Sequence, residues 1–169
     1  MAGRGRTDSD ESFERWYRRE HPRLLALLTV VAGDAEIARD ATAEAFARAL
    51  ERWARVDGME EPAAWTYRVG VNLVRRRARR AQVETRLLSR PESPVAPPSV
   101  EPELWTAVLE LPLRQRTAIA LRYVCDLSQA DVAERMGIAP GTASATLTAA
   151  RRGLAAKLGP NDPTEVPLG

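Results

Sequence analysis

Three groups of side chains have the types and spacing to do chemistry. Glu36, Asp40 and Glu44 follow one another at steps of four, which on a helix stacks three carboxylates in one ridge that Arg48 and Arg52 continue. Carboxylate pairs can serve as general acid and base, but nothing here completes such a site: the chain holds one histidine, His21, and one cysteine, Cys125. That inventory leaves no zinc cluster and no internal disulfide, and no residue is assigned a catalytic or cofactor role. The ridge therefore reads as a solvated face or as a protein contact, with Phe46 beside Glu44 as the apolar member of the contact. The second group is RRRARR, five arginines in the six residues 75 to 80, namely Arg75, Arg76, Arg77, Arg79 and Arg80. Guanidinium groups this dense repel one another and gain from a polyanion; the plain alternative is a solvated helix end. Trp65, Tyr67 and Arg68 lie upstream and offer surface for stacking on unpaired bases, or else belong to core and rim. The third group is Thr142, Ser144, Thr146 and Thr148, followed by Arg151 and Arg152: hydroxyls and late cations suited to phosphates and base edges.

These groups need helices to position them. Around the third group, Ser128 caps a helix with Asp131 at its N3 position, Val132, Ala133 and Met136 give it a buried side, and Gly137 supplies a positive φ to end it. Ile138 packs back into the angle, Pro140 opens a second helix, and Ala143, Leu147, Ala150 and Leu154 form its stripe. A short helix, a glycine turn and a longer helix read as a helix-turn-helix, the alternative being an ordinary helical hairpin. Upstream, a first helix is expected over roughly 10–32, with Pro22 as a kink, and a second from an Asp34 cap through Trp53. Residues 54–61 read as a loop, and Pro62 begins a third helix whose core side is Trp65, Val69, Asn72 and Leu73, which makes Asn72 a buried amide.

Composition agrees with helix throughout. Of 169 residues, 44% are hydrophobic, enough for one core or two small ones, and the chain is rich in Ala, Leu, Arg and Glu. The net charge of +2 argues for no partner, but its distribution is uneven: residues 1–80 carry 16 basic and 13 acidic groups, 81–110 carry 2 and 5, and 111–169 carry 7 and 5. The acidic middle contains SRPESPVAPPSVEPE, a Pro-rich stretch that reads as a semi-stiff linker. The expected fold is all-α: a helical domain over 10–80, a flexible acidic linker over 81–102, a helix-turn-helix domain over 103–158 and a disordered tail over 159–169. The longest apolar run, Leu24 to Ala32, is too short to cross a bilayer, and MAGRGRTDSDE lacks the apolar segment of a signal peptide. A cytoplasmic protein without membrane insertion is expected.

The order of these features resembles bacterial sigma factors of the extracytoplasmic-function, sigma-70-like group. GDAEIARDATAEAFARALERW (33–53) is similar to the family's polymerase-binding helix, with Asp40, Glu44 and Phe46 on its acid-acid-aromatic positions; EPAAWTYRVGVNLVRRRARR (61–80) resembles its −10 segment; LPLRQRTAIALRYVCDLSQADVAERMGIAPGT (111–142) is the most specific part. The resemblance implies a non-enzymatic specificity subunit. Its first domain would hold the RNA polymerase β′ coiled coil and the melted −10 strand through Trp65, Arg68 and the arginine run. Its second would meet the β flap and the −35 duplex, and an anti-sigma factor is a further implied partner. Two departures stand out: Ala43 replaces the usual Gln before the acid, and GTASATLTAARR lacks the long cations that normally open the recognition helix. The alternative function is an interaction module on the same scaffold with weakened −35 reading.

Overall fold

The computed structural model describes residues 4–85 and 101–159, with side chains from 13 to 80 and from 101 to 159. The expected Pro-rich linker lies largely, and the tail wholly but for Gly159, outside the described residues. All described regular structure is helical: α1 Arg4–Ala32, α2 Ala35–Glu51, α3 Trp53–Val56, α4 Pro62–Thr85, α5 Pro102–Leu109, α6 Leu113–Ile119, α7 Gln129–Met136 and α8 Pro140–Leu158. A π-turn over Ala120–Val124 continues α6.

Helices α1 to α4 form one helical region. α1 runs through Pro22 as a single helix, six residues longer at its start than the sequence pattern implied. Gly33, at φ 68°, ends it, and Asp34 caps α2 by accepting from the Ile37 N–H at 2.8 Å. One end of the region is an aromatic cluster: Trp16 lies 4.8 Å from Trp53 and 5.2 Å from Phe46, and Phe13 meets Trp53 edge-on at 5.1 Å. At the other crossing Gly70 of α4 lets α1 approach, since a Cβ there would sit 2.9 Å from Leu28 Cδ1. The buried side of α4 is Ala63, Ala64, Thr66, Tyr67, Gly70, Leu73 and Val74, while Trp65 and Val69 are half-buried and Asn72 is exposed. Asn72 is thus not a buried amide: the bare α-carbon of Gly70 sets the crossing and turns Asn72 outward. The expected loop over 54–61 also begins as the short helix α3, which buries Trp53 and Val56.

Helices α5 to α8 form the second region around Trp105, Val108, Leu111, Ile119, Leu121, Val132, Leu147 and Ala150. The reciprocal capping box of Ser128 and Asp131 starts α7, Gly137 at φ 64° ends it, and Pro140 opens α8. Ala143, Leu147 and Ala150 are fully buried at the expected spacing and Leu154 is partly so.

The two regions touch, although their cores are separate in sequence. Arg116 Nη1 donates to Val31 O at 3.1 Å, capping the end of α1 from α6, and the Leu109 side chain lies against the bare face of Gly33. Arg135 of α7 pairs with Glu61 at 3.5 Å and places its guanidinium 5.1 Å from the Tyr67 ring centre.

Candidate nucleic-acid interface

On α2 the buried residues are Ala38, Ala41, Thr42, Ala45, Phe46 and Ala49. Phe46 is 3% exposed, edge-on to Trp16 and Tyr17 and tilted against His21, so it underlies the acidic ridge and takes no part in a surface contact. Small alanines around it allow α1 and α4 to close on both flanks. Asp40 accepts from Arg77 of α4 at 3.1 Å, and Glu44 pairs with Arg48 one turn on. Both pairs are open to solvent and worth about 0–1 kcal/mol each, so the carboxylates stay available to a partner that brings its own cations. Beside them Ala43, Ala47 and Leu50 are exposed, and Leu50 is half exposed at 50%. The sequence reading missed Leu50; its spacing of three from Ala47 and seven from Ala43 was the available signal.

On α4 the arginines divide. At about 100° per residue, Arg68, Asn72, Arg75 and Arg79 fall in one row, with Trp65 and Arg76 on its flank. Arg68, Asn72, Arg75, Arg76, Arg79 and Arg80 are exposed, while Arg77 turns the other way onto Asp40 and the Ile37 carbonyl. Among the described residues Arg77 is the only member of the run in an ion pair. The run therefore does not act as a ring of equivalent cations: four members face solvent and one ties α4 to α2.

On α8 the outward face holds Thr142, Ala145, Thr148, Ala149 and Arg152; Ser144 and Thr146 are half-buried on its two flanks. The Thr146 hydroxyl donates back to Thr142 O at 2.7 Å, which spends its proton locally and leaves an acceptor. Arg151 donates through Nε to the Tyr123 hydroxyl at 3.0 Å, and Arg122 lies on the same ring at 5.5 Å. Tyr123, exposed at the π-turn, was not among the expected residues; nothing in its local pattern distinguished it from a core aromatic.

Where the regions meet, two cavities open. One, of about 270 Å³, lies among Trp16, Glu20, Arg23, Tyr67, Cys125 and Arg135. Glu20 is nearly buried there, accepting from the Tyr67 hydroxyl at 3.2 Å and from Arg19 at 2.8 Å. Burial first, then the negative charges of Cys125 and Glu20, raise the Tyr67 phenol well above its ordinary range; burial pushes the Cys125 thiol up to about 11 against the pull of Arg135 and Arg23. The other cavity, of about 280 Å³, is lined by Arg68, Asn72 and Arg75 of α4 and by Arg114, Arg135 and Ile138 of the second region, with no carboxylate among its lining residues. No group of three or more His, Cys, Asp or Glu able to hold a metal occurs among the described residues, and no described helix is long and apolar enough to cross a membrane.

This arrangement matches known proteins at both ends. The family description "Sigma-70 region 2" fits residues 16–84, and "Sigma-70, region 4" fits residues 102–154, so the two helical regions are those of a sigma-70-type transcription protein. The chain is 30% identical over 152 residues to the ECF RNA polymerase sigma factor SigM of Mycobacterium tuberculosis, in each of two strains, covering 88% of this chain and 78% of SigM. It belongs to the ECF family of sigma factors, non-catalytic regulators of transcription. Among solved structures, the sigma factor RpoE from Bartonella quintana, in complex with the anti-sigma factor NepR, shares the fold at TM-score 0.71 and 22% identity, covering 90% of this chain and 99% of that one. CnrH, solved with the cytosolic domain of CnrY, does so at TM-score 0.63 and 20% identity, covering 88% of each.

Proposed function

We propose that this chain is a promoter-specificity subunit that docks core RNA polymerase through α2 and holds promoter DNA with α4 and α8. The polymerase contact is the exposed strip of Asp40, Ala43, Glu44, Ala47 and Leu50, set against the β′ coiled coil, with Phe46 as its buried support. The melted −10 strand follows the row of Arg68, Arg75 and Arg79, with Trp65, Arg76 and Arg80 beside it, and Arg77 holds α4 against α2. The observation that carries the reading is that row: cations at helical spacing, exposed, and without carboxylate partners among the described residues. Phosphate contacts of this kind give salt-dependent affinity and position a strand without reading it.

In the second domain α7 and α8 act as a helix-turn-helix at the −35 duplex, and the domain also meets the β flap. Thr142, Thr148 and Arg152 reach the groove, Ser144 and Thr146 flank them, and Arg151, braced on Tyr123, meets phosphate. The expected bounds of 10–80 and 103–158 move at the linker: the first domain runs on to the end of α4 at Thr85, the second begins with α5 at Pro102, the acidic stretch between them is the linker, and 159–169 is a tail. An anti-sigma factor is a regulatory partner, as the RpoE complex supports by likeness of fold. The Thr146 hydroxyl is already engaged as a donor to the Thr142 carbonyl, which favours weak −35 reading, with the linker supplying local concentration once the first domain is docked. Open-complex formation on a cognate promoter, followed by permanganate footprinting, tests the reading. Replacing Arg68, Arg75 and Arg79 together by Gln should abolish melting; undiminished melting would refute it.

A further inference from the structure

We infer that the arginine-lined cavity beside α4 is a binding site for a small diphosphate, a ligand separate from the DNA strand and held by side chains of both regions. Arg68 and Arg75 come from α4, Arg114 from α6 and Arg135 from α7, with the Asn72 amide beside them and no carboxylate among the lining residues. Arg68, Arg75 and Arg114 have no ion-pair partner among the described residues. Arg135 pairs with Glu61 through Nη2 at 3.5 Å, but its Nη1 is buried with no hydrogen-bond partner among the described residues. Arg68 extends from α4 to the end of α7, its Nη1 lying 3.7 Å from where a Cβ on Gly137 would be, so cations from segments far apart in sequence converge there.

Charge, size and donor geometry select the ligand. With Arg135 offset by Glu61, three of the four arginines keep an uncompensated charge, and a diphosphate carries about three negative charges. A carboxylate or a single phosphate would leave part of the repulsion in place, in a groove also walled by Val71, Leu121, Met136 and Ile138, where it is less screened than in water. The volume of about 280 Å³ equals about nine water volumes at about 30 Å³ each, as many as the heavy atoms of inorganic pyrophosphate. From a nucleoside diphosphate, only the phosphates would enter. Guanidinium forks meet phosphate oxygens in pairs, and a buried donor such as Arg135 Nη1 gains most from an acceptor. Thr117 Oγ1 already donates to the Leu113 carbonyl, so the donors are the guanidinium groups and Asn72. Arg68 and Arg75 also belong to the proposed DNA row, so diphosphate and strand compete for them; only that competition rests on the proposed DNA role.

The test is calorimetric titration of the full chain with sodium pyrophosphate, against sodium sulfate and orthophosphate at matched ionic strength. The parent should bind pyrophosphate about tenfold more tightly than either smaller anion. Arg114→Gln, at an exposed position outside the proposed DNA row, should weaken that binding about tenfold by removing one charge-assisted contact, and Arg114→Lys should recover part of it. Arg135→Gln gives a second reading from α7, and thermal melts confirm that each variant stays folded. Equal affinity for pyrophosphate and sulfate overturns the inference, as does parent-like binding by folded Arg114→Gln and Arg135→Gln. ADP is titrated alongside: affinity equal to that of pyrophosphate supports a nucleotide source for the diphosphate, and weaker affinity supports the free ion. A fluorescein-labelled random-sequence single strand then tests the shared arginines. Pyrophosphate at about ten times its Kd for the parent should weaken strand binding about tenfold in the parent and about twofold in Arg114→Gln, beyond the effect of matched sulfate. Bound pyrophosphate that leaves strand affinity unchanged overturns the competition. A chain that binds no strand overturns the DNA role alone, because the calorimetric titration decides the site without DNA.

Discussion

Leu50 separates a contact surface from a merely solvated helix face. It sits in the last turn of α2, half exposed, in line with Ala43 and Ala47 and beside the carboxylates of Asp40 and Glu44. Burying a leucine fully is worth about 1.5–3 kcal/mol, so covering the exposed half of this one in the proposed polymerase contact would contribute about 1 kcal/mol, or roughly fivefold in Kd. Leu50→Ala should forfeit most of that and leave folding almost untouched, because Ala is at least as good a helix former and the lost side chain was only half packed. Leu50→Asp should cost more than about tenfold, since it puts a carboxylate without a partner into an apolar contact. Fluorescence anisotropy of labelled chain titrated with core polymerase gives both affinities, and a thermal melt shows whether the fold has moved. Wild-type binding by Leu50→Asp, with an unchanged melt, would remove α2 from the interface.

Reversing Asp40 and Glu44 to Lys should weaken capture of core polymerase while shifting stability by no more than about 1–2 kcal/mol, because the pairs they lose are solvent-exposed; retained capture in a pull-down would move the contact elsewhere. Gly70→Ala should lower stability: the new methyl meets Leu28 Cδ1 at 2.9 Å and Leu24 Cδ1 at 3.3 Å, an overpacking cost of about 1–3 kcal/mol against about 1 kcal/mol of regained helix propensity. A rise in melting temperature would show that the α1–α4 crossing yields freely. Cys125, raised from 9.0 to about 11, should hold about 100-fold less thiolate at pH 8 than a free thiol, so iodoacetamide should label the native chain slowly and the urea-unfolded chain far faster. Folding favours the neutral forms of both Cys125 and Tyr67, so the unfolded chain ionises first and stability should fall as pH rises above about 9; urea midpoints that climb over that range would contradict the burial of both groups.

The second region was legible where local chemistry and periodicity agreed. Ser128, Asp131, Gly137 and Pro140 each fix one end of a helix through a backbone requirement of their own, and α8 buries every third or fourth residue as its pattern demands. Errors came where a face was chosen by composition alone. On α4 the run of Trp65, Val69 and Leu73 is apolar and at helical spacing, but the absence of a side chain at Gly70 rotates the buried side toward Ala63, Tyr67 and Val74. On α2 the alanine stripe was read too narrowly, and Phe46, one residue from Ala45, falls inside it because the aromatic rings of α1 reach across. The meeting of the two regions had no local signal at all. Arg116 reaches Val31 over 85 positions of chain, and Arg135 reaches Glu61 over 74; neither residue differs in its own neighbourhood from a solvated arginine. The surfaces proposed for this protein are rows of residues that local rules can place on a helix, but which members of a row are free is decided by contacts between segments far apart in sequence. That is why the buried stripe of α8 followed from spacing, whereas the exposure of Leu50 on α2 and the turning of Arg77 away from the other arginines onto Asp40 required the fold.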